Sequence, residues 1–133
     1  MIDKVILEPT KILDAAAANG VGKAEQVASL RDLVLAVHSA GGANLTIKVQ
    51  GSIQEDEPDW EAAQSATNSW EYVQLKDLND ASTVNGDTGI TFSGVDDNRM
   101  LEVNTNYLRW LNVIVSGYVA GNVTVLLSGA SNS

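Results

Sequence analysis

The sequence predicts an all-β protein: an antiparallel, jelly-roll-like β-sandwich forming a single domain over residues 1–133, with a long polar loop around residues 52–69. Three observations predict it. Apolar and polar residues alternate with period two in several short runs, and no long window carries a helical stripe. Clusters of glycine, asparagine, aspartate and serine separate those runs, as strand-ending turns require. The chain has 133 residues, 44% of them hydrophobic, and no cysteine. That length closes one core without disulfide staples.

Taken in order, residues 5–7 and 11–17 read as strands within an N-terminal arm spanning residues 1–30. Asn19-Gly20-Val21-Gly22 is a turn. Residues 31–38 and 44–50 alternate cleanly and flank Ser39-Ala40-Gly41-Gly42-Ala43, which predicts a hairpin with a glycine-rich loop. Residues 51–69 are polar, with an acidic run at Glu55-Asp56-Glu57-Pro58-Asp59, and read as a loop with a helical turn over 60–64. Residues 70–75 favour a strand. Residues 79–89 are turn chemistry, sharpest at Asn85-Gly86. Strands at 90–93, 99–104, 108–119 and 122–128 complete a sandwich core over 31–129, with a tail at 130–133.

One internal repeat stands out. "RDLVLAVHSAGGANLTIKVQG" (31–51) aligns without a gap on "RWLNVIVSGYVAGNVTVLLSG" (109–129), so Arg31 meets Arg109, Val37 meets Val115 and Gly51 meets Gly129. Successive side chains of a strand point to opposite faces. Both segments therefore present a similar inner face: Leu33, Leu35, Val37, Leu45, Ile47 and Val49 in one, Leu111, Val113, Val115, Val123, Val125 and Leu127 in the other. The outer faces differ. Asp32, Ala36, Ala40 and Lys48 in the first segment stand opposite Trp110, Ile114, Tyr118 and Leu126 in the second. An exposed apolar set of that size marks a contact surface. Trp110, Ile114, Tyr118 and Leu126 are thus the protein-interface candidates, covered either by the chain's own N-terminal strands or 52–69 loop or by a neighbouring subunit.

The formal net charge of -9 disfavours binding to nucleic-acid backbones and anionic membranes. Arg109, Asn112, Ser116, Gly117, Gly121, Asn122 and Thr124 interrupt the oily segment 108–129, so it does not read as a spanning helix. The N-terminus lacks the apolar run of a signal peptide. Catalytic signatures are missing. His38 is the single histidine and no Gly-x-Ser-x-Gly elbow surrounds any serine. No phosphate-binding glycine loop is present. The acidic run at 55–59 and Asp96-Asp97-Asn98 could supply oxygen ligands to calcium, but neither has the spacing of an EF-hand loop, and both read as solvated loop tips. No pair of carboxylates singles itself out as a hydrolase dyad. The sequence thus predicts no enzyme, no cofactor and no metal. Trp60, Trp70, Trp110, Tyr72, Tyr107 and Tyr118 would form a sugar-stacking platform if coplanar and exposed; their alternative place is in cores and interfaces.

Over about residues 30–130 the order of motifs resembles small phage-encoded β-sandwich virion proteins. The resemblance lies in "NLTIKVQGS" (44–52), Trp60 beyond a polar loop, "WEYVQLKDL" (70–78), "NGDTGITFSG" (85–94), "LEVNTNYLRWLNVIVS" (101–116) and "AGNVTVLLSG" (120–129). It implies a virion structural protein, of the capsid decoration or cement kind or a head or tail accessory, made in the host cytoplasm and located in the virion. The implied partners are other virion proteins, such as a major capsid protein or head or tail subunits, met as a homo-oligomer or symmetric array. No catalytic residue comes with the resemblance. Two alternatives stay open: a carbohydrate-binding sandwich module, and a tail accessory protein touching the host surface.

Overall fold

The computed structural model describes residues 4–6, 8–103 and 108–132. Eleven strands occur among them: β1 (Lys4–Ile6), β2 (Thr10–Ala16), β3 (Gly20–Val21), β4 (Glu25–Gln26), β5 (Arg31–Ser52), β6 (Glu71–Tyr72), β7 (Leu75–Asp77), β8 (Thr83–Val84), β9 (Ile90–Ser93), β10 (Asn98–Val103) and β11 (Trp110–Asn132). All pairings are antiparallel, and every strand joins one open sheet. The prediction therefore holds as all-β and antiparallel, whereas hydrogen bonding builds one continuous sheet instead of two. No helix among the described residues is long and apolar enough to cross a membrane. The helical turn expected over 60–64 is a non-helical turn at Trp60-Glu61. Leu7, Asn104 and Ser133, at the ends of expected segments, lie outside the described residues.

The two expected hairpins are corrected by the register. Residues 31–52 form one strand of 22 residues, and 110–132 one of 23. These two long strands pair with each other, from Trp110↔Ser52 through Ser116↔Thr46 and Thr124↔His38 to Ala130↔Arg31. Each half of β5 already has a partner on both edges. Residues 34–38 lie between β11 and β10, and residues 44–47 between β11 and β9. No free edge remains for a hairpin mate. Of the tail expected at 130–133, residues 130–132 continue β11, with Ile6 opposite Ala130 and Lys4 opposite Asn132.

A straight strand of 22 residues would span roughly 70 Å at about 3.3 Å per residue. That is about twice the diameter of a domain of this length. The long pair must therefore bend, and the glycines show where. Gly41 and Gly42 have φ of 73° and 69°, and Gly117 and Gly121 of 59° and 78°. Register shifts between Ser116, Ala120 and Asn122 mark the same corner. A Cβ on Gly121 would lie 2.5 Å from Ala43 Cα and 2.7 Å from the Ala40 carbonyl oxygen, so the two backbones cross there at a distance only glycine permits. Side chains from the flanks satisfy the corner's amides. Asp96 Oδ1 accepts from Gly42 N at 2.9 Å and Ala43 N at 3.2 Å, and Asn19 Oδ1 accepts from Tyr118 N at 2.9 Å. The Tyr118 hydroxyl donates to the Gly121 carbonyl at 2.8 Å. Tyr118→Phe is expected to cost about 1 kcal/mol, the net value of one hydrogen bond, seen as a thermal midpoint lowered by a few degrees.

The bend divides the long pair into two arms around one core. The first arm joins residues 31–39 to 123–130, and the second joins 44–52 to 110–116. Leu33, Leu35 and Val37 share a single cluster with Leu45, Ile47 and Val49, and their counterparts in β11 belong to it as well. The inner faces are buried as alternation predicts. The repeat is built into this geometry. The alignment that sets Arg31 on Arg109 turns the pair Val34↔Ser128 into Asn112↔Gln50, and Ala36↔Leu126 into Ile114↔Lys48. The flanks follow the same rule: β2 to β4 run along β11 from Leu127 to Trp110, while β9 and β10 run along β5 from Ile47 to Val34. The fold is thus internally two-fold, and the N-terminal strands β2, β3 and β4 belong to its sheet.

A candidate protein interface

The four interface candidates fall in three different places. Trp110 and Ile114 lie on the outer face of the second arm, Tyr118 at the corner, and Leu126 on the outer face of the first arm. All four are half-buried. No single patch contains them, because the bend separates positions that a flat hairpin would have lined up.

The outer face of the second arm is covered by the chain itself. After β5 the segment 53–70 turns back across it. Gln50 and Asn112, opposite each other on that face, are fully buried, and Gln50 Nε2 donates to the Trp60 carbonyl at 2.9 Å. Trp60 is only 4% exposed. Trp110 Nε1 donates to the Glu55 carbonyl at 3.4 Å, and Ser52 Oγ to the Ser69 carbonyl at 2.6 Å. The acidic run at 55–59 thus belongs to a strap pinned at both ends. Trp60→Ala is expected to cost about 3 kcal/mol, as large aromatic truncations do. Limited proteolysis should then cut within 53–70 well before the rest of the chain.

The outer face of the first arm has no such cover among the described residues. Register places Met100, Ala36, Leu126 and Lys11 in one row across four strands. Leu78 stands beside Met100 and donates its amide to the Met100 carbonyl. Met100 is 56% exposed and Leu78 48%. Val34 lies in the next row, opposite Ser128, and Ile6, 81% exposed, overhangs the same end. Of the apolar residues on this face, the sequence singled out Leu126 as a candidate but not Val34, Met100, Leu78 or Ile6. The missing signal was pairing: Met100 becomes Leu126's near neighbour only once β10 and β11 both lie against β5.

The aromatic residues do not form a coplanar platform. Trp60 is buried, Trp70 and Tyr72 meet edge to face with centroids 5.0 Å apart and planes at 74°, and Trp110 is bonded to the strap. Tyr107 lies outside the described residues. Lys48 Nζ sits 4.9 Å from the Tyr72 ring centre, and Trp70 Nε1 donates to the Ala62 carbonyl. These contacts fix the strap's far end in place. His38 is exposed and hydrogen-bonds Asn98 Oδ1 through Nδ1 at 2.7 Å. Among the described residues no three histidine or carboxylate side chains converge on a metal position. Asp96 is engaged with the corner amides, and Asp97 Oδ1 accepts from the Asn98 amide. Asp77 is buried, and its Oδ2 accepts from Arg99 Nε at 3.1 Å and Nη2 at 2.7 Å, which fastens β7 to β10. Beside it, the Ser82 hydroxyl and amide hold the exposed Asp80 carboxyl below its usual range.

This architecture has a solved counterpart. The fold is that of a phage-derived protein. The crystal structure of the SPBc2 prophage-derived protein YomS superposes with a TM-score of 0.69, covering 98% of this chain and 96% of that one at 15% sequence identity. At that identity the likeness shows the fold alone. No family model matches the chain, and no curated protein matches it. The match spans almost the whole of both chains, so the likeness is one of overall fold and not of a single segment.

Proposed function

We propose that this protein is a non-enzymatic structural subunit of a phage particle, most specifically a capsid decoration or cement subunit. In this role it binds neighbouring particle proteins through the outer face of its first arm. The observation that carries the reading is the apolar row Leu78, Met100, Ala36 and Leu126, open on the first arm while the chain covers the equivalent face of the second. A self-sufficient monomer has little reason to cover one face and leave its structural twin apolar and open. The likeness to a prophage-derived protein supports the phage setting. Repetition of the subunit on a symmetric shell would multiply a modest contact into firm attachment. The acidic charge suits synthesis as a soluble subunit that docks late.

The test is add-back. Particles are produced with the gene for this chain deleted, and purified chain is added. Saturable binding at a fixed number of copies per particle is the expected result. Absence of binding to both head and tail fractions would remove the reading.

A further inference from the structure

The internal two-fold symmetry identifies what the open face is shaped to receive. On the second arm the strap lies over Trp110, Asn112, Gln50 and Ser52. The first, third and fourth of these hydrogen-bond it through Glu55, Trp60 and Ser69, and Asn112 is fully buried beside them. The repeat alignment carries those four positions onto Asp32, Val34, Ser128 and Ala130. Together with Ile6 and Gly129, these four residues line an open hollow of about 380 Å³. The seat that the strap fills on one arm therefore recurs, unfilled by any described residue, on the other.

The two seats differ in polarity. Gln50 Oε1 and Asn112 Nδ2 are buried without a hydrogen-bond partner beneath the strap. Val34 stands in Asn112's place and brings no polar atom to desolvate. The first-arm seat is thus the better one for an apolar anchor. A second copy of this chain is a poor source of that anchor. Its Trp60 is buried, and Trp70 and Trp110 are hydrogen-bonded within their own chain. Two chains of net charge -9 also repel one another, whereas a basic surface is attracted.

We propose that the hollow formed by Val34, Ser128, Ala130 and Ile6 receives an aromatic side chain from a different polypeptide, carried on an extended segment with basic residues around it. This rests on the docking role proposed above and specifies the chemistry of the partner. The hollow plays toward that partner the part that the Gln50–Asn112 seat plays toward the strap at Trp60, whose carbonyl Gln50 binds and whose side chain is buried.

A designed peptide tests the seat without knowledge of the natural partner. It copies residues 53–69 with Glu55→Lys, Asp56→Lys, Glu57→Lys and Asp59→Lys, so that Trp60 is its one tryptophan. A matched peptide adds Trp60→Ala. The full chain, methyl-labelled at valine and alanine, is titrated with each and followed by NMR. The Trp60 peptide should shift the Val34 and Ala130 methyl signals saturably, and the Trp60→Ala peptide should bind at least tenfold more weakly. Equal binding by the two peptides, or shifts at Val49 and Val113 in place of Val34 and Ala130, would overturn the proposal. Light scattering adds a further outcome. A doubling of mass with concentration that Val34→Glu abolishes would give the seat to a second copy, and overturn it likewise. The two readings can fail separately. If the peptide leaves Val34 unmoved while Leu126→Asp still abolishes particle binding, the seat falls and the docking role stands. If the peptide saturates the seat but the chain binds no particle, the seat stands and the particle role falls.

Discussion

Leu126→Asp should leave a folded, monomeric chain whose binding to particles lacking the protein is weakened about a hundredfold or more. Leu126 is half-buried, flanked in the sheet by Ala36 and Lys11 with Met100 one strand further on, and its partner Ala36 is too small to cover it. A carboxylate there remains hydrated in the free chain, so the loss of stability is confined to about 1 kcal/mol from reduced apolar contact. In the docked state the same carboxylate would be trapped against an apolar surface, or the surface would stay apart. Loss of the leucine and desolvation of the charge together cost roughly 3 kcal/mol, which is a little over a hundredfold in affinity. Met100→Asp should act in the same direction. Val95→Asp is the matched control, since Val95 is exposed but lies near the corner, away from this row. Circular dichroism melts establish folding, and sedimentation of particles with bound chain measures docking. Unchanged occupancy with Leu126→Asp would show that the first-arm face is not the contact surface.

Gly121→Ala should break the corner of the long strand pair. The added carbon would meet Ala43 Cα at 2.5 Å and both the Ala40 carbonyl oxygen and Ala43 N at 2.7 Å, all of them backbone atoms. No rotamer change relieves a clash between main chains. The φ of 78° adds a left-handed penalty for any L side chain. Together these are expected to remove about 3–5 kcal/mol, a large share of the stability of a domain this size. Denaturant titration would show a midpoint shift with an unchanged slope if the fold survives, and aggregation on expression if it does not. Gly94→Ala is the comparison: its φ of 80° carries the backbone penalty, but no atom lies within 4 Å of the added carbon. It should cost only about 1–2 kcal/mol. A Gly121→Ala cost no greater than that would mean the crossing of the long strands is looser than these distances state.

The inner face was legible in the sequence because alternation depends only on local geometry. Leu33, Leu35 and Val37, with their counterparts in β11, had to point one way together, and they form the core. Strand positions survived for the same reason, with residues 90–93 observed as β9 and 11–17 as β2, one residue earlier. The uncovered apolar surface was only partly legible. Leu126 was visible as an apolar residue at an outer position, but its neighbours Met100 and Leu78 come from segments distant in sequence.

By itself the sequence determined the all-β character, the two faces of each long segment, the place of the glycine corners and the repeat that relates the two halves. Tertiary structure decided what the glycines do. Gly41-Gly42 permits either a tight reversal or a bend, because positive φ is open to glycine in both. The bend wins because each long segment finds hydrogen-bond partners along both edges when it runs on, and would lose one of them if it folded back on itself. Tertiary structure alone also decided which outer face is covered. The strap 53–70 can lie only against the arm from which β5 delivers it, so Trp60 closes the second arm and no described residue covers the row around Leu126 on the first.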